Sequence, residues 1–463
     1  MTTAPSPIAE RANSIAAERL DGSDGLEVAA PASIPAFQTD PALDRIRAKV
    51  LEGRRLSLED GERLFTTPDI WTVCELADLA RNRLSPGIAY YNINRHMNYS
   101  NVCALSCKFC EFYRKKNQAG AYTRDLEYIE SDTINAIQSG ATEMHIVGGL
   151  HPYLPWSYYP EMLAHIKETV ARHDPQHGEP NHPGLHLKAF TAVELVHLAK
   201  IKKIYKRNDR EASLRNVLSE LKDAGLDSLP GGGAEVFDDR VHDETHKGKI
   251  RSDVWLDVHR VGHSLGLNSN ATILYGHIEH RRERLVHMDM LRKAQDTALQ
   301  RIGYAPDSTG AISLLRPENP SPETLRANGQ LDPSEGGYFQ TLIPLPFFPD
   351  GSELEHLPGP TGLENVRTIA IARLMLDNIP HMKAFWIMQT LKLAQTMLQT
   401  GADDIDGTVV WYDITKVDNA STHQETTTHD LRRAITEAGF NPVERDTIYR
   451  PVKRDGSKWW LAK

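Results

Sequence analysis

Cys103-Ala-Leu-Ser-Cys107-Lys-Phe-Cys110 decides how the rest of this chain is read. Its three cysteines are spaced C-x3-C-x2-C and follow an alternating apolar run, Ile88 to Ile93, that reads as a strand. Thiolate sulfur is the preferred protein ligand of iron–sulfur clusters. Three thiolates on one loop can hold three corners of a [4Fe–4S] cube and leave the fourth iron open, an arrangement suited to chemistry more than to electron storage. The other reading is a zinc site completed by His96 or His145, in a binding protein without catalysis. Zinc sites usually come as two pairs of ligands, however. The one remaining cysteine, Cys74, falls in a helical apolar pattern with Ile70 and Ala77 and reads as a buried small residue.

Outward from this loop, short β-rich runs alternate with longer helical ones. The candidate strands are Ile88–Asn94, Thr142–Val147, Leu185–Phe190, Leu226–Leu229, Asn268–Leu274, Tyr338–Ile343, Lys383–Ile387 and Ile405–Val410. Helical spacing marks Leu126–Gln138, Ser157–Arg172, Ala212–Ala224, Ser252–Leu265, Arg282–Gln300, Leu363–Leu376 and Leu391–Leu398 between them. Such alternation predicts parallel strands with right-handed crossovers, an α/β chain closed as a (β/α)8 TIM-like barrel. Sites in such barrels form where strands end, and the cysteine loop follows the first strand. A helical preface is expected over 39–83, with Ser57 and Thr67-Pro68 as helix starts. The expected barrel runs over 84–423, and 424–463 is expected to add one helix, Thr428–Ala438, and a charged tail.

Three stretches break the pattern. Residues 1–38 are rich in Ala, Pro and Ser and read as a disordered extension. His173–Gly184 reads as a surface excursion. Residues 302–336, rich in Pro, Gly and Asp, read as a loosely packed insertion.

The 463 residues carry a net charge of −9 with scattered basic residues, which argues against nucleic-acid binding. Four cysteines, three of them clustered, do not make a disulfide framework and suit a reducing compartment. No apolar run approaches the roughly 18 residues of a membrane span, and the first residues show no signal pattern. A cytoplasmic enzyme is expected.

Further stretches carry possible chemistry. Gly148 and Gly149 end the second strand and let backbone approach a ligand, although a tight turn would look the same. Gly231-Gly232-Gly233 and Glu235 follow the fourth strand, and Glu235 offers an acceptor for hydroxyl or ammonium groups. His186, Lys188 and Phe190 share one face of the third strand. That face suits an anionic substrate if it looks inward, and covers a helix if it looks outward. Asn270, Tyr275 and His277 give the fifth strand a polar end, where Tyr275 and His277 could orient a substrate or move a proton. His259 and His263 read as a helix surface.

Taken together, Phe109 before the last cysteine and the segments Glu143–Pro152, Leu185–Glu194, Leu226–Glu235 and Asn270–Glu279 resemble the radical S-adenosylmethionine (SAM) superfamily. Within it they resemble the aminofutalosine (aminodeoxyfutalosine) synthases of the futalosine route to menaquinone. The resemblance runs from about residue 84 to the end, apart from the two internal interruptions. It implies a [4Fe–4S] cluster on Cys103, Cys107 and Cys110, with SAM as co-substrate near Phe109, Gly148, Gly149 and Glu235. The implied reaction is a carbon–carbon bond-forming transfer. The 5′-deoxyadenosyl radical adds to 3-[(1-carboxyvinyl)oxy]benzoate, and aryl migration and loss of the carboxyl group give 6-amino-6-deoxyfutalosine plus methionine. His186, Lys188, Arg260, Asn270 and His277 are the candidates for binding this dicarboxylate; Lys188, His277 and Tyr275 are those for catalysis. An electron donor such as flavodoxin or ferredoxin is the implied partner. Dehypoxanthine futalosine cyclase and the deazaflavin-cofactor synthase subunits, which abstract hydrogen, share the individual motifs.

Overall fold

The structure is a computed structural model that describes residues 40–332, 336–408 and 425–462. The expected extension over 1–38 and the end of the strand expected at Ile405–Val410 lie outside the described residues.

Seven strands form one parallel sheet whose order follows the chain: β2 (Asn94–Met97), β3 (Glu143–Ile146), β4 (His186–Ala189), β5 (Ser228–Leu229), β6 (Asn268–Tyr275), β7 (Phe339–Pro346) and β8 (His381–Met382). Helices of the expected length connect most of them, so each crossover carries the chain back to the start of the next parallel strand. The first expected strand is split. Its opening half, β1 (Ile88–Asn92), pairs with β9 (Asp404–Gly407) and β10 (Asn441–Glu444), while its closing half, β2, pairs with β3. A single bridge between Lys383 and Asp404 joins the end of the long sheet to this smaller one. The sheet therefore curls toward closure, as the barrel reading expects.

Side-chain alternation divides the barrel into two layers. Met144, Leu187, Ala271, Ile273 and Leu342 point outward and build the main core with the helices. Their neighbours Glu143, His145, Lys188, Asn270 and Thr341 occupy matched positions on the other face. The lumen is accordingly polar: Lys188 bonds Glu143 at 2.9 Å, Lys383 bonds Asp406 at 2.7 Å, and His96 stacks on His145 at 4.6 Å.

Elsewhere the structure corrects the expectations. Lys383–Ile387 is not a strand: β8 stops at Met382, and Trp386–Gln389 is a short helix tied to Gly407 by the Trp386 indole. Residues 302–332 are packed, with a helix at Pro322–Ala327 and a cluster of Ile302, Tyr304, Ile312, Leu314 and Leu331 with Tyr338. The Arg55 guanidinium reaches from the preface to Asp296, Asp377 and the Ile312 carbonyl, pinning the start of that segment. The C-terminal stretch is more than a helix and tail. After the helix Thr428–Glu437 it supplies β10 and a hairpin, β11 (Val452–Asp455) and β12 (Lys458–Leu461). Its Trp459 carbonyl bonds His182 at 2.9 Å and thereby holds down the excursion expected at 173–184. His259 and His263 are buried, not on a helix surface. Their helix turns them against Phe339, and His263 bonds Ser269 at 2.8 Å.

Candidate active site

The cysteine loop runs on from β2 and is held by backbone bonds. Cys103 N–H donates to Arg114 O at 3.0 Å, Ala104 N–H to Leu150 O at 2.9 Å, and Lys108 N–H to Thr245 O at 2.9 Å. Lys115 Nζ adds a clamp on three successive carbonyls, those of Cys103, Ala104 and Leu105, at 3.2, 3.3 and 2.8 Å. The sulfurs face inward. Cys103 Sγ accepts from the N–H groups of Leu105 and Leu150, each at 3.4 Å.

All three cysteines line one cavity of about 260 Å³ at the C-terminal ends of the strands. Phe109, Gly148, Gly149 and Glu235 line the same cavity, so the residues read as cluster and SAM elements meet around one space. The two glycines are there for close approach. A Cβ on Gly148 would lie 2.6 Å from the Tyr99 ring, and one on Gly149 would lie 2.4 Å from the Val102 carbonyl oxygen. Side chains at either position would push the second strand's end away from the cysteine loop.

Two residues that sequence reading passed over complete this wall. Glu194 accepts from Gly148 N–H at 3.0 Å and the Tyr99 hydroxyl at 2.8 Å with one oxygen; the other takes Thr191 N–H at 2.8 Å and the Thr191 hydroxyl at 2.7 Å. Burial pushes its carboxyl up to about 7, against the pull of these four hydrogen bonds. Thr191-x-x-Glu194 is a capping box following a strand, so a signal was there to find. Lys249 is the second. Its ammonium bonds Glu235 at 2.5 Å and lies 5.0 Å from the Phe109 ring centre. Burial works to neutralise it, but the neighbouring Cys107 thiol and Glu235 carboxylate hold it protonated above the ordinary lysine value. It comes from a polar connection with no motif. Burial also pushes the Cys107 thiol up to about 11, with Lys249 opposing. Loading a metal group on these sulfurs therefore expels protons.

The donor set fits a thiolate-held cluster. Three sulfurs, two N–H groups and an ammonium border the cavity. Among the described residues no group of three or more His, Cys, Asp or Glu side chains gathers where a single metal ion could be held. His96 and His145 are stacked in the lumen and do not line the cavity, so they do not complete a zinc site with the loop.

The candidate substrate residues divide into three groups. His277 stands one layer behind the cavity wall: its ring is 6.4 Å from Phe109 and 6.0 Å from Phe347, and its Nε2 is 3.1 Å from Leu274 O. Burial draws its imidazole below the usual range, so it is neutral. Lys188 and Asn270 are buried in the lumen beneath the cavity. Burial lowers the Lys188 ammonium, while Glu143, held ionised by that lysine despite its own burial, keeps the two paired.

The others are elsewhere. Tyr275 is fully buried and donates to Asn365 Oδ1 at 2.8 Å under the Arg284 guanidinium. His186 begins β4 at the opposite end of the barrel and bonds Ser228 at 2.8 Å beside a separate cavity. Arg260 lies on the exposed face of its helix, paired with Glu211 at 3.0 Å and Asp257 at 3.2 Å. For these three, strand or helix direction carries the side chain away from the mouth.

Residues 97–291 match the radical SAM superfamily, and residues 336–456 match the CofH/MqnC C-terminal region. The chain is 38% identical over 418 residues to the aminodeoxyfutalosine synthase of Thermus thermophilus, covering 89% of this chain and 97% of the relative. It is 37% identical to the aminodeoxyfutalosine synthase of Streptomyces coelicolor, covering 89% and 95%. A 5-amino-6-(D-ribitylamino)uracil–L-tyrosine 4-hydroxyphenyl transferase of Methanopyrus kandleri is 30% identical, covering 83% and 90%. Among solved structures, methylornithine synthase shares the fold at a TM-score of 0.57 and 15% identity, covering 86% of this chain and 97% of that one.

Proposed function

The chain belongs to the radical SAM superfamily and, within it, to the aminodeoxyfutalosine synthase family, and from that premise we propose how its residues perform the reaction. Cys103, Cys107 and Cys110 would hold a [4Fe–4S] cluster. Phe109, Gly148, Gly149 and Glu235 would receive SAM. Bound there, the cluster supplies the one electron that splits SAM into methionine and a 5′-deoxyadenosyl radical.

The substrate is 3-[(1-carboxyvinyl)oxy]benzoate. The radical adds to its enol-ether double bond, and aryl migration with loss of the carboxyl group as CO2 yields 6-amino-6-deoxyfutalosine and gives back the one electron that started the cleavage. The chain's part is to hold the alkene beside the radical carbon and keep water and hydrogen donors out. The mainly apolar wall, with Val193, Leu274, Phe347 and Met388, supports that role. Glu194 fixes the Gly148–Gly149 backbone. Lys249, with Glu235, puts a positive charge where the carboxylate-bearing reactants and the thiolates meet. His277 steadies the wall through Phe109 and Phe347, and Lys188 and Asn270 form the floor toward a substrate carboxylate. A small electron-carrier protein, a flavodoxin or ferredoxin, supplies the electron.

The observation that carries this reading is that the three cysteines and the Gly-Gly element border one cavity. The test is an anaerobic reaction of reconstituted protein, reductant, SAM and 3-[(1-carboxyvinyl)oxy]benzoate, analysed by mass spectrometry. A product joining the adenosyl unit to the aryl group is expected. Free 5′-deoxyadenosine alone would keep the superfamily chemistry and reject the substrate.

A further inference from the structure

We propose that the outer face of the cysteine loop is the docking surface for a small acidic electron-carrier protein; the proposal rests on the reading above, in which one external electron is needed to start the cleavage of SAM. The loop has two sides. Its sulfurs face the cavity, while Ala104, Ser106 and Lys108 alternate with them and are exposed. Ala104 and Lys108 are the immediate neighbours of Cys103 and Cys107, so one thickness of loop separates the sulfurs from this face. The route from the opposite side is blocked by the lumen, which is filled with buried ion pairs.

Four exposed ammonium groups frame the outer face. Lys108 belongs to the loop itself. Lys115 lies along it, bonded to the carbonyls of three loop residues. Lys116 follows, its Nζ 4.2 Å from the ring centre of Tyr153, an aromatic that is 63% exposed. Lys247 precedes Gly248, which packs against Leu105: a Cβ there would sit 3.2 Å from the leucine side chain. Among the described residues none of the four is in an ion pair, in a chain whose net charge is −9. Glu111, which pairs with Arg114 at 3.5 Å, and Glu353, whose N–H meets Lys108 O, border the patch on one side.

An unneutralised basic rim around a redox site favours an acidic partner, and speeds its encounter, by long-range attraction. The exposed Tyr153, Ala104 and part-exposed Leu105 give that partner an apolar contact inside the charged ring. One electron leaves the reduced carrier, which is oxidised by one electron, and is taken up at the thiolate-held group, with no proton or bond exchanged between the two proteins.

The experiment compares the iron-loaded wild-type protein with the variant K108E/K116E/K247E, whose positions lie outside the cavity lining. Purified flavodoxin and ferredoxin, both acidic, serve as probes. Their dissociation constants are measured by calorimetry at low and high ionic strength, and SAM cleavage is driven by each carrier or by dithionite. The dithionite-driven rate should stay within about twofold of wild type. At low ionic strength, binding and carrier-driven cleavage should both weaken by roughly tenfold or more, and wild-type binding, but not the variant's, should weaken with salt. Unchanged carrier affinity in the variant, salt-independent wild-type binding, or a wild type that neither carrier can reduce would each overturn the docking proposal. Should dithionite drive no SAM cleavage in the iron-loaded wild type, the reading beneath it falls instead.

Discussion

The mouth of the barrel and its lumen are built from equally reactive side chains and treat them in opposite ways. In the lumen every strong charge is matched: Lys188 to Glu143, Lys383 to Asp406, Arg445 to Asp404, with side chains no more than 5% exposed. In the mouth the thiols border open space, the paired glycines put no side chain in the way, and the Lys249–Glu235 pair lies at the cavity edge. The difference teaches that availability, not reactivity, separates a site from a scaffold. A buried ion pair gains little net stability, because desolvation consumes most of its attraction, but breaking one is costly. The lumen pairs fix strand register; the mouth waits for ligands.

That contrast is open to direct attack. Replacing Cys103, Cys107 or Cys110 by Ala should have the largest effect, abolishing SAM cleavage and lowering bound iron while leaving the far-ultraviolet circular dichroism intact. Lys188→Met should destabilise the fold by about 3–5 kcal/mol, because it strands the Glu143 carboxylate. The double variant K188M/E143L should recover most of that loss in thermal melts. A stable double variant with full activity would assign Lys188 to the scaffold; a stable inactive one would extend the site into the lumen.

Gly149→Ala should weaken SAM binding by roughly 10- to 100-fold, about 1.4–2.7 kcal/mol, read by equilibrium binding, since its Cβ meets the Val102 carbonyl at 2.4 Å. Glu194 makes a smaller, pH-dependent contribution. Its carboxyl is raised from 4.5 to about 7 in the fold, so folding retains a proton that the unfolded chain releases within that window. Stability should therefore fall as pH rises from about 4.5 to about 7 and level off above. Glu194→Gln should flatten this slope in melts taken across that range. Arg260→Ala should change stability by no more than about 0.5 kcal/mol and leave turnover unchanged, as expected for an exposed, salt-bridged helix residue.

The mouth was the legible part of this chain. The cysteine spacing, the paired glycines and Glu235 each follow a strand, and barrel topology brings such positions together whatever the distances in sequence. Lys249 escaped notice because a lysine in a polar connection has no periodicity, and only the tertiary approach of its segment to Phe109 and Glu235 makes it a site residue. For Lys188 the sequence left an inward and an outward face equally open; the fold turns it inward onto Glu143 of the neighbouring strand, and cross-strand register cannot be read from one strand alone. The insertion looked loose because Pro and Gly hid its apolar spacing; Ile312, Leu314 and Leu331 are too far apart for a period but close in space. His259 and His263 were misjudged because a polar side chain four residues from another suggests a solvated face, whereas their neighbours Trp255 and Phe339 bury them.

The split first strand sets a timetable for synthesis. β1 finds its partners only at Asp404–Gly407 and Asn441–Glu444, more than three hundred residues later in the chain. As the ribosome delivers the chain from its amino end, β2 can join β3 early, but β1 must wait until translation is nearly finished. During that interval the cysteine loop hangs on a half-made sheet. Closure of the smaller sheet therefore arrives last, after the seven strands of the long sheet have left the ribosome.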